Sequence, residues 1–574
     1  MPREHWSHQL DYFVSLLGLS VGSGTFIKFP FYCMRNGGGA FLIPFLFFTM
    51  IGAIPCVFLE MTIGQYSQSG PINVWNLCPS FKGLGVGAVI CVWFFHSYYN
   101  VIFSWFMYYL FYSFSEILPW DNCNNTWNTP TCISNKDLRS FTNVTIPSYN
   151  ASATGITANI TGVTAAEEFW RNKVLEMSDG LDNLGGVRWH LVGCLVITHV
   201  ILFLWIFNGI KVSGKLAYVT VALPYILITV FLIRGCLLPG SADGIYYYIY
   251  PKFERLTEPK IWIQACSYAL HSMAIASGCI TSMSGHNKMK NNCFSHAVWL
   301  CLADSLSSIL TGFAFFTIVG HVAYMRGVNV DAFESSGYNL AFIVYPEMLA
   351  SLPFPQSWSV LTFVTLMMLG IDSMVPGIEA ITAALEDVFT QLFKKRLFFT
   401  CAVLLSTFLF ALLYVSQGGI YVVTLVDWFA YFPSSAVIAV LECMVVGWFY
   451  GTERLQENIR MMWGKKMPRV MVIGLKFVCP PLLLVTFCYS LYSYRPPKYG
   501  DYIYPAWATG VGWMISLASI LPIPIIWLWT VINRNETSLK EKIKRSMEPN
   551  EYWSGATGTE GVLHPMAGHE LTSF

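Results

Sequence analysis

The chain has 574 residues, of which 55% are hydrophobic and only 12% are charged. Soluble domains carry about 25% charged residues, so this composition indicates a polytopic membrane protein. The net charge of +1 creates no overall field that would attract nucleic acid. The sequence shows no nucleophile–base constellation or cofactor motif, and we do not expect an enzyme.

Apolar stretches of about 20 residues, the length that crosses a bilayer, recur along the chain. The twelve predicted spans, numbered in chain order, are 10–31, 39–62, 84–117, 190–207, 213–237, 261–283, 295–324, 357–384, 397–415, 421–449, 470–492 and 506–532. The predicted fold is an all-α membrane protein with a transporter domain over 10–532. A cytoplasmic segment, 1–9, precedes it, and a polar cytoplasmic tail, 533–574, is expected to be disordered.

The basic residues of the short loops predict the topology. With the N-terminus inside, every cluster falls on the cytoplasmic side, as the positive-inside rule requires. The clusters are Lys211/Lys215, His286/Lys288/Lys290, Lys394/Lys395/Arg396, Arg454 to Arg469, and Lys540 to Arg545. We therefore expect a multi-pass plasma-membrane protein, surrounded by lipid, with both termini in the cytoplasm.

The segment 119–189 is the one long hydrophilic connection, and this topology places it outside the cell. It contains Cys123 and Cys132, nine residues apart, in an oxidising compartment. We predict a disulfide between them, with two free thiols as the alternative. Four glycosylation sequons lie in the same segment, at Asn124, Asn143, Asn150 and Asn159.

Predicted span 1 is interrupted near its middle by small and polar residues. Glycine costs about 1 kcal/mol relative to alanine in a helix interior, and unpaired backbone groups in lipid cost several kcal/mol each. Such a break is tolerated where the backbone lines a cavity, as in the ion and substrate sites of secondary transporters. The residues concerned are Gly18, Ser20, Gly22, Ser23, Gly24 and Thr25, followed by Lys28 and Pro30.

Six motifs follow one another along the chain: Gly24–Pro30 with Asn36–Pro44, then 58–75, 97–111, 118–132, 369–379 and 418–430. Together they resemble the neurotransmitter:sodium symporter family, which has the LeuT fold, over nearly the whole chain. The resemblance implies a 5+5 inverted repeat in which spans 1 and 6 are both broken. The second break would be SMAIASGC, residues 272–279.

The resemblance implies two sodium sites. The second site would use carbonyl, carboxylate and hydroxyl oxygens of Gly18, Val21, Leu369, Asp372 and Ser373, which suit a hard cation. Alternatively, Asp372 is a buried acid satisfied by neighbouring hydroxyls. The first site would use Ser20, Thr25, Ser272 and Asp304, with Thr25 and Asp304 where relatives usually have asparagine. Asp304 would then bind sodium, trap a proton, or mark the loss of the ion.

The chloride site of chloride-dependent relatives is altered here. The matching positions are Phe45, Tyr268, Ser272, Asp304 and Ser308. An anion 4 Å from the Asp304 carboxylate would be repelled by about 4 kcal/mol at an effective dielectric constant near 20. We predict that chloride dependence is weak or absent, with Asp304 supplying the negative charge.

In the substrate pocket, His271 and Ser277 stand where the family has aromatic residues, so we expect a pocket more polar than usual. Gly22 stands where monoamine carriers have an aspartate, which favours a substrate with its own carboxylate, such as an amino acid. Tyr99 would bind that carboxylate, or else it is an ordinary packing residue. His271 would face the substrate, or else it is a satisfied core histidine. The full set is Ser20, Gly22, Gly24, Tyr99, His271, Ser272, Ala274 and Ser277.

Two gates are also implied. The outer pair would be Lys28 and Asp427, where lysine lacks the bidentate fork of the arginine usual in relatives. The inner pair would be Arg3 and Asp387, with Trp6 packed beside it.

These residues favour a sodium-coupled symporter that imports a small zwitterion, with homo-oligomer formation left open. The alternative is a relative whose transport is lost or diverted, acting as a partner subunit, a sensor or an uncoupled conductance. It is motivated by substitutions that cluster in the sites, at Thr25, Ile27, Lys28, Tyr268, His271, Ser277, His286 and Asp304.

Overall fold

The computed structural model describes residues 4–135, 162–207, 209–327, 329–330, 337–389, 396–500 and 502–553. Within them, ten helices are long and apolar enough to cross a membrane, and one bent pair makes an eleventh span. One further span, the sixth in chain order, is broken into two short helices and brings the number of described spans to the predicted twelve. The prediction of an all-α polytopic membrane protein is confirmed.

The spans keep the numbers that the sequence gives them. Span 1 consists of Gln9–Ser20 and Ser23–Arg35, and span 6 of Pro259–Ser272 and Cys279–Ser284. Spans 2 to 5 are Gly39–Ser67, Pro79–Ser113, Trp189–Phe207 and Ile210–Cys236. Spans 7 to 12 are Cys293–Arg326, Pro355–Val388, Arg396–Tyr414, Gly419–Trp463, Arg469–Tyr492 and Ala506–Ile532. Spans 2, 10 and 11 contain π-helical stretches at Thr49–Ala53, Val445–Gly451 and Gly474–Val478.

Short elements connect the spans. The helical ones are Asn73–Leu77, Ala165–Glu168, Phe169–Val174, Ser241–Ile249, Phe253–Thr257, Gly337–Asn339, Leu340–Val344 and Tyr345–Ala350. Strand Cys132–Ile133 pairs in parallel with Val163–Thr164, and Lys498–Tyr499 pairs antiparallel with Tyr502–Ile503.

The long connection between spans 3 and 4 contains the predicted disulfide. Cys123 and Cys132 are bonded, with their Cα atoms 5.8 Å apart. The Asn124 sequon is exposed, whereas Asn143, Asn150 and Asn159 lie outside the described residues.

Spans 3 and 8 pack against each other along their length and form the centre of the protein. Glycine permits this close approach, since a Cβ on Gly370 would lie 2.9 Å from the ring of Phe103. At Gly377, a Cβ would lie only 1.9 Å from the ring of His96. The first half of span 1 packs on spans 5 and 8, so its end is held against the middle of span 8.

Part of the polar tail is folded, although its composition predicts disorder. Leu539–Ser546 forms a helix and Glu551–Trp553 a 3₁₀ turn. Trp553 is buried; its indole N–H donates to the Tyr450 hydroxyl at 2.9 Å, and its ring centroid lies 5.1 Å from that of Tyr66. The prediction is wrong for 533–553 because one aromatic anchor contributes burial that a polar composition conceals. Residues 554–574 lie outside the described part of the chain.

Candidate functional site

The break in span 1 falls at Val21 and Gly22, and the two helical halves are bent by 44°. The Gly22 N–H bonds the Ser20 carbonyl at 3.1 Å, so it does not continue the helix by bonding the Gly18 carbonyl. A Cβ on Gly22 would lie 2.3 Å from the Ser373 hydroxyl, so any side chain here would force that hydroxyl to turn away. The predicted exposure of backbone oxygens thus follows from the packing of span 1 on span 8.

The break in span 6 is held open by a carboxylate from span 2. Ala274 and Ala276 have φ values of 51° and 61°, a left-handed conformation that costs non-glycine residues roughly 1–2 kcal/mol each. The buried Glu60 accepts a hydrogen bond from the Ala276 N–H at 2.7 Å. This bond compensates for helical bonds lost at the break, so Glu60 positions the carbonyls that face the cavity.

The residues predicted for the second sodium site lie together. A Cβ on Gly18 would be 2.9 Å from that of Asp372, and one on Gly22 would be 3.8 Å from the Leu369 carbonyl oxygen. Thr220 donates to Asp372 Oδ1 at 2.5 Å, while Asp372 Oδ2 is buried without a hydrogen-bond partner among the described residues. A buried carboxylate without a cationic partner is costly, so the arrangement suits a bound cation. Each group offers oxygen, as Na⁺ requires.

The residues predicted for the first sodium site are also neighbours. The Ser272 hydroxyl lies 2.8 Å from both carboxylate oxygens of Asp304, and Thr25 donates to the Ser20 carbonyl at 3.4 Å. Tyr268 and Ser308, which fall at the altered chloride positions, have buried hydroxyls without partners in the described structure. The Phe45 ring packs on Tyr268 with centroids 5.6 Å apart. Of the residues matching the family's chloride ligands, Asp304 is therefore the one that carries charge.

A central cavity of about 160 Å³ lies between the two breaks, and all eight predicted substrate residues line it. Tyr99 accepts or donates a hydrogen bond with Ser23 at 2.5 Å. The His271 ring packs edge-on against Tyr431 with centroids 4.7 Å apart. Ser277 donates to the Ala274 carbonyl at 2.5 Å, so its hydroxyl binds the backbone at the break in span 6. Phe31, Phe95 and Phe342 make much of the remaining wall apolar.

The predicted outer pair is formed. Lys28 Nζ lies 3.6 Å from Asp427 Oδ1. Asp427 also accepts hydrogen bonds from Tyr98 at 2.6 Å and from Tyr338 at 3.0 Å. Both tyrosines were absent from the sequence prediction, and they hold the carboxylate independently of lysine.

We expect Lys28→Ala to weaken apparent substrate affinity by no more than about fivefold, because a partly exposed ion pair contributes about 0–1 kcal/mol. Uptake kinetics of the variant check this, with Lys28→Arg as the charge-conserving control. A loss of uptake above about 100-fold for Lys28→Ala would show that the lysine does more than close the outer end.

The predicted inner pair is described on one side only, since Arg3 lies outside the described residues. Asp387 Oδ2 accepts the Gly70 N–H at 2.6 Å. Trp6 is buried, and its indole N–H donates to the Met283 carbonyl at 3.1 Å. His286 Nδ1 lies 2.8 Å from the Glu4 carbonyl, so this histidine contacts the N-terminal segment.

Several residues of the site escaped sequence reasoning. Thr220 lies in an apolar stretch of span 5 without a break or motif, and nothing local distinguishes it. Glu60 offered a clear signal, since an acid inside a membrane span is a functional indication by itself. Tyr98 is adjacent to the predicted Tyr99 but points at Asp427 instead.

Two broken helices that surround a cavity, beside buried acids and free backbone oxygens, define a secondary transporter. The model of the sodium:neurotransmitter symporter family matches residues 3–534, and the chain belongs to that family. It is 36% identical over 549 residues to a sodium-dependent dopamine transporter of Bos taurus, covering 95% of this chain and 77% of the relative. It is also 36% identical over 557 residues to sodium- and chloride-dependent GABA transporter 2 of Mus musculus and of Rattus norvegicus, covering 96% of this chain and 90% of each relative. The chain is accordingly a sodium-coupled symporter by family.

Proposed function

We propose that this protein imports a small zwitterionic solute, an amino acid, together with sodium across the plasma membrane. The observation that carries the proposal is Gly22. It lines the cavity, and because glycine has no side chain it presents no carboxylate to the substrate. A substrate amine therefore lacks the acid that a monoamine carrier supplies at this position, and the carboxylate has to arrive with the substrate. The hydroxyls of Tyr99 and Ser23, which share a hydrogen bond and line the same cavity, are the groups we propose for that carboxylate.

In this proposal sodium occupies the oxygens around Asp372 and those around Asp304. Spans 1, 2, 6 and 7 rock against spans 3, 4, 8 and 9, with both termini in the cytoplasm. Lys28 and Asp427 close the outer end, while Trp6, Arg3 and Asp387 close the inner end. Sodium has to stabilise the outward-open state more than the inward-open state, because a ligand shifts an equilibrium only by its differential affinity.

The test is a panel of amino acids applied to cells that express the chain, with sodium-dependent current and uptake as readouts. At least one zwitterionic amino acid should give saturable uptake that disappears when choline replaces sodium. A protein that reaches the surface yet responds to no amino acid would refute the proposal. It would favour the partner-subunit, sensor or uncoupled-conductance alternative.

We further propose that transport is independent of chloride, because Asp304 provides a fixed negative charge beside Ser272. An anion beside the Asp304 carboxylate would be repelled by roughly 4 kcal/mol, so we do not expect chloride to bind there. Replacing external chloride with gluconate should therefore change uptake by less than about twofold. Asp304→Asn should introduce chloride dependence, measured as the ratio of uptake in the two salts. Chloride-dependent wild-type uptake, or an Asn variant with an unchanged ratio, would contradict this role for Asp304.

A further inference from the structure

A second, smaller cavity lies on the inner side of Asp372, between spans 1, 5 and 8. Its lining includes Ser15 of span 1, Ser213 of span 5, and Asp372 and Glu379 of span 8. Trp6 and Met283 line its inner end, and they are joined by the hydrogen bond from the Trp6 indole to the Met283 carbonyl. The cavity is thus placed between the proposed second sodium site and the cytoplasmic surface.

Three of the lining residues carry oxygens that nothing in the described structure satisfies. They are Ser15 Oγ, Asp372 Oδ2 and Glu379 Oε1, and all three atoms are buried. Their residues are only 7%, 6% and 6% exposed. An unsatisfied buried polar atom costs about 1–3 kcal/mol, and more if it is charged. Three such oxygens around one cavity indicate a ligand that accepts lone pairs.

The charges around the cavity also favour a bound cation. Arg396 forms an ion pair with Glu379 and also lies 3.8 Å from Glu386, so one guanidinium is shared by two carboxylates. Asp372 has no basic partner among the described residues; Thr220 provides its one hydrogen bond. With these groups ionised, three carboxylates face a single cation among the residues that the structure describes. Buried carboxylates need a counter-charge, and the three unsatisfied atoms of the lining are all oxygens, which suit a hard alkali cation.

We infer that this inner cavity, lined by Ser15, Asp372 and Glu379, is a further binding site for a monovalent hard cation, namely Na⁺. The inference rests on the proposed sodium coupling and extends it. A sodium ion leaving the oxygens around Gly18 and Val21 would keep Asp372 as a ligand on one side and gain Glu379 and Ser15 on the other. Trp6 and Met283 would hold it there until the inner end opens.

The experiment measures equilibrium binding of ²²Na⁺ to the purified full-length protein. Two variants form a matched pair: Glu379→Gln and Glu386→Gln each remove one carboxylate partner of Arg396, but only Glu379 lines the cavity. We expect Glu379→Gln to lower the number of bound Na⁺ by one or to weaken binding at least fivefold. Glu386→Gln should remain within twofold of the wild type.

The outcomes separate this site from the proposed function. Wild-type protein that binds no ²²Na⁺ would overturn sodium coupling and this site together. Wild-type binding that Glu379→Gln and Glu386→Gln alter equally, or not at all, would overturn the inner site alone. If Glu379→Gln does not fold, Ser15→Ala serves as the alternative variant, because it removes an uncharged oxygen from the cavity. The proposed site then predicts a Na⁺ affinity that is twofold to fivefold weaker than that of the wild type. Unchanged affinity in Ser15→Ala would overturn it.

Discussion

Replacing Asp372 with asparagine is expected to abolish sodium-dependent uptake at ordinary sodium concentrations while the chain still reaches the membrane. The carboxylate lies against Gly18, where the span 1 helix releases its carbonyl, and one of its oxygens lacks a hydrogen-bond partner in the described structure. Removing one partner of a buried charge pair costs about 3–5 kcal/mol. At 1.4 kcal/mol per factor of ten, apparent sodium affinity should fall at least about 100-fold. A sodium titration of uptake provides the measurement.

Thr220→Val is the control for this experiment. It removes the hydroxyl that donates to Asp372 but leaves the charge and nearly the same volume. Loss of a hydrogen bond to a charged group costs about 1.5–3 kcal/mol, so affinity should fall less than in Asp372→Asn. Half-saturation of Asp372→Asn at the wild-type sodium concentration would mean that this carboxylate does not bind the ion.

Gly22→Ala is expected to lower the rate of transport up to about 100-fold. The added methyl carbon would lie 2.3 Å from the Ser373 hydroxyl, closer than real Cβ contacts occur, so this hydroxyl has to turn away. That rotation withdraws one oxygen from the proposed second sodium site, and misplacement by about 1 Å at a preorganised site can cost about 100-fold in rate. Initial rates of uptake, normalised to surface protein, measure the effect.

Gly193→Ala is the matched control, because a Cβ there meets no atom within 4 Å. Gly193 also lies in a helical span but far from either break, and its variant should transport at close to the wild-type rate. Equal uptake by Gly22→Ala and Gly193→Ala would contradict the role assigned to the span 1 break.

The break in span 1 could be predicted because several glycines and small polar residues interrupt an apolar stretch. The contact of Gly22 with Ser373 shows why a small residue suits this position. The ion pair of Lys28 with Asp427 required the family resemblance, since the residues are far apart in sequence. Thr220 reaches Asp372 across a separation of 152 residues, and a single threonine in an apolar span gives no periodic or compositional signal. Tyr338 is similar, because its hydrogen bond to Asp427 depends on how the connection between spans 7 and 8 folds.

The tail shows the opposite limitation. Its composition is polar, and polar segments with little apolar surface are usually disordered. A single tryptophan anchors this part of the tail to the protein, because Trp553 inserts between Tyr66 and Tyr450. Asn550 adds a hydrogen bond to Asn76 at 2.9 Å. Average composition does not report the position of such an anchor.

The most direct test of sodium-coupled amino-acid import is accumulation in proteoliposomes that contain only this protein. An inward sodium gradient should concentrate a radiolabelled amino acid above its external level, and a sodium ionophore should release it. Each sodium ion moving inward contributes about 2.3 kcal/mol per 100 mV plus its concentration term, which is enough for accumulation of tenfold or more. If the labelled amino acid only equilibrates, or accumulates equally without the gradient, the protein is not a sodium-driven symporter for that substrate class.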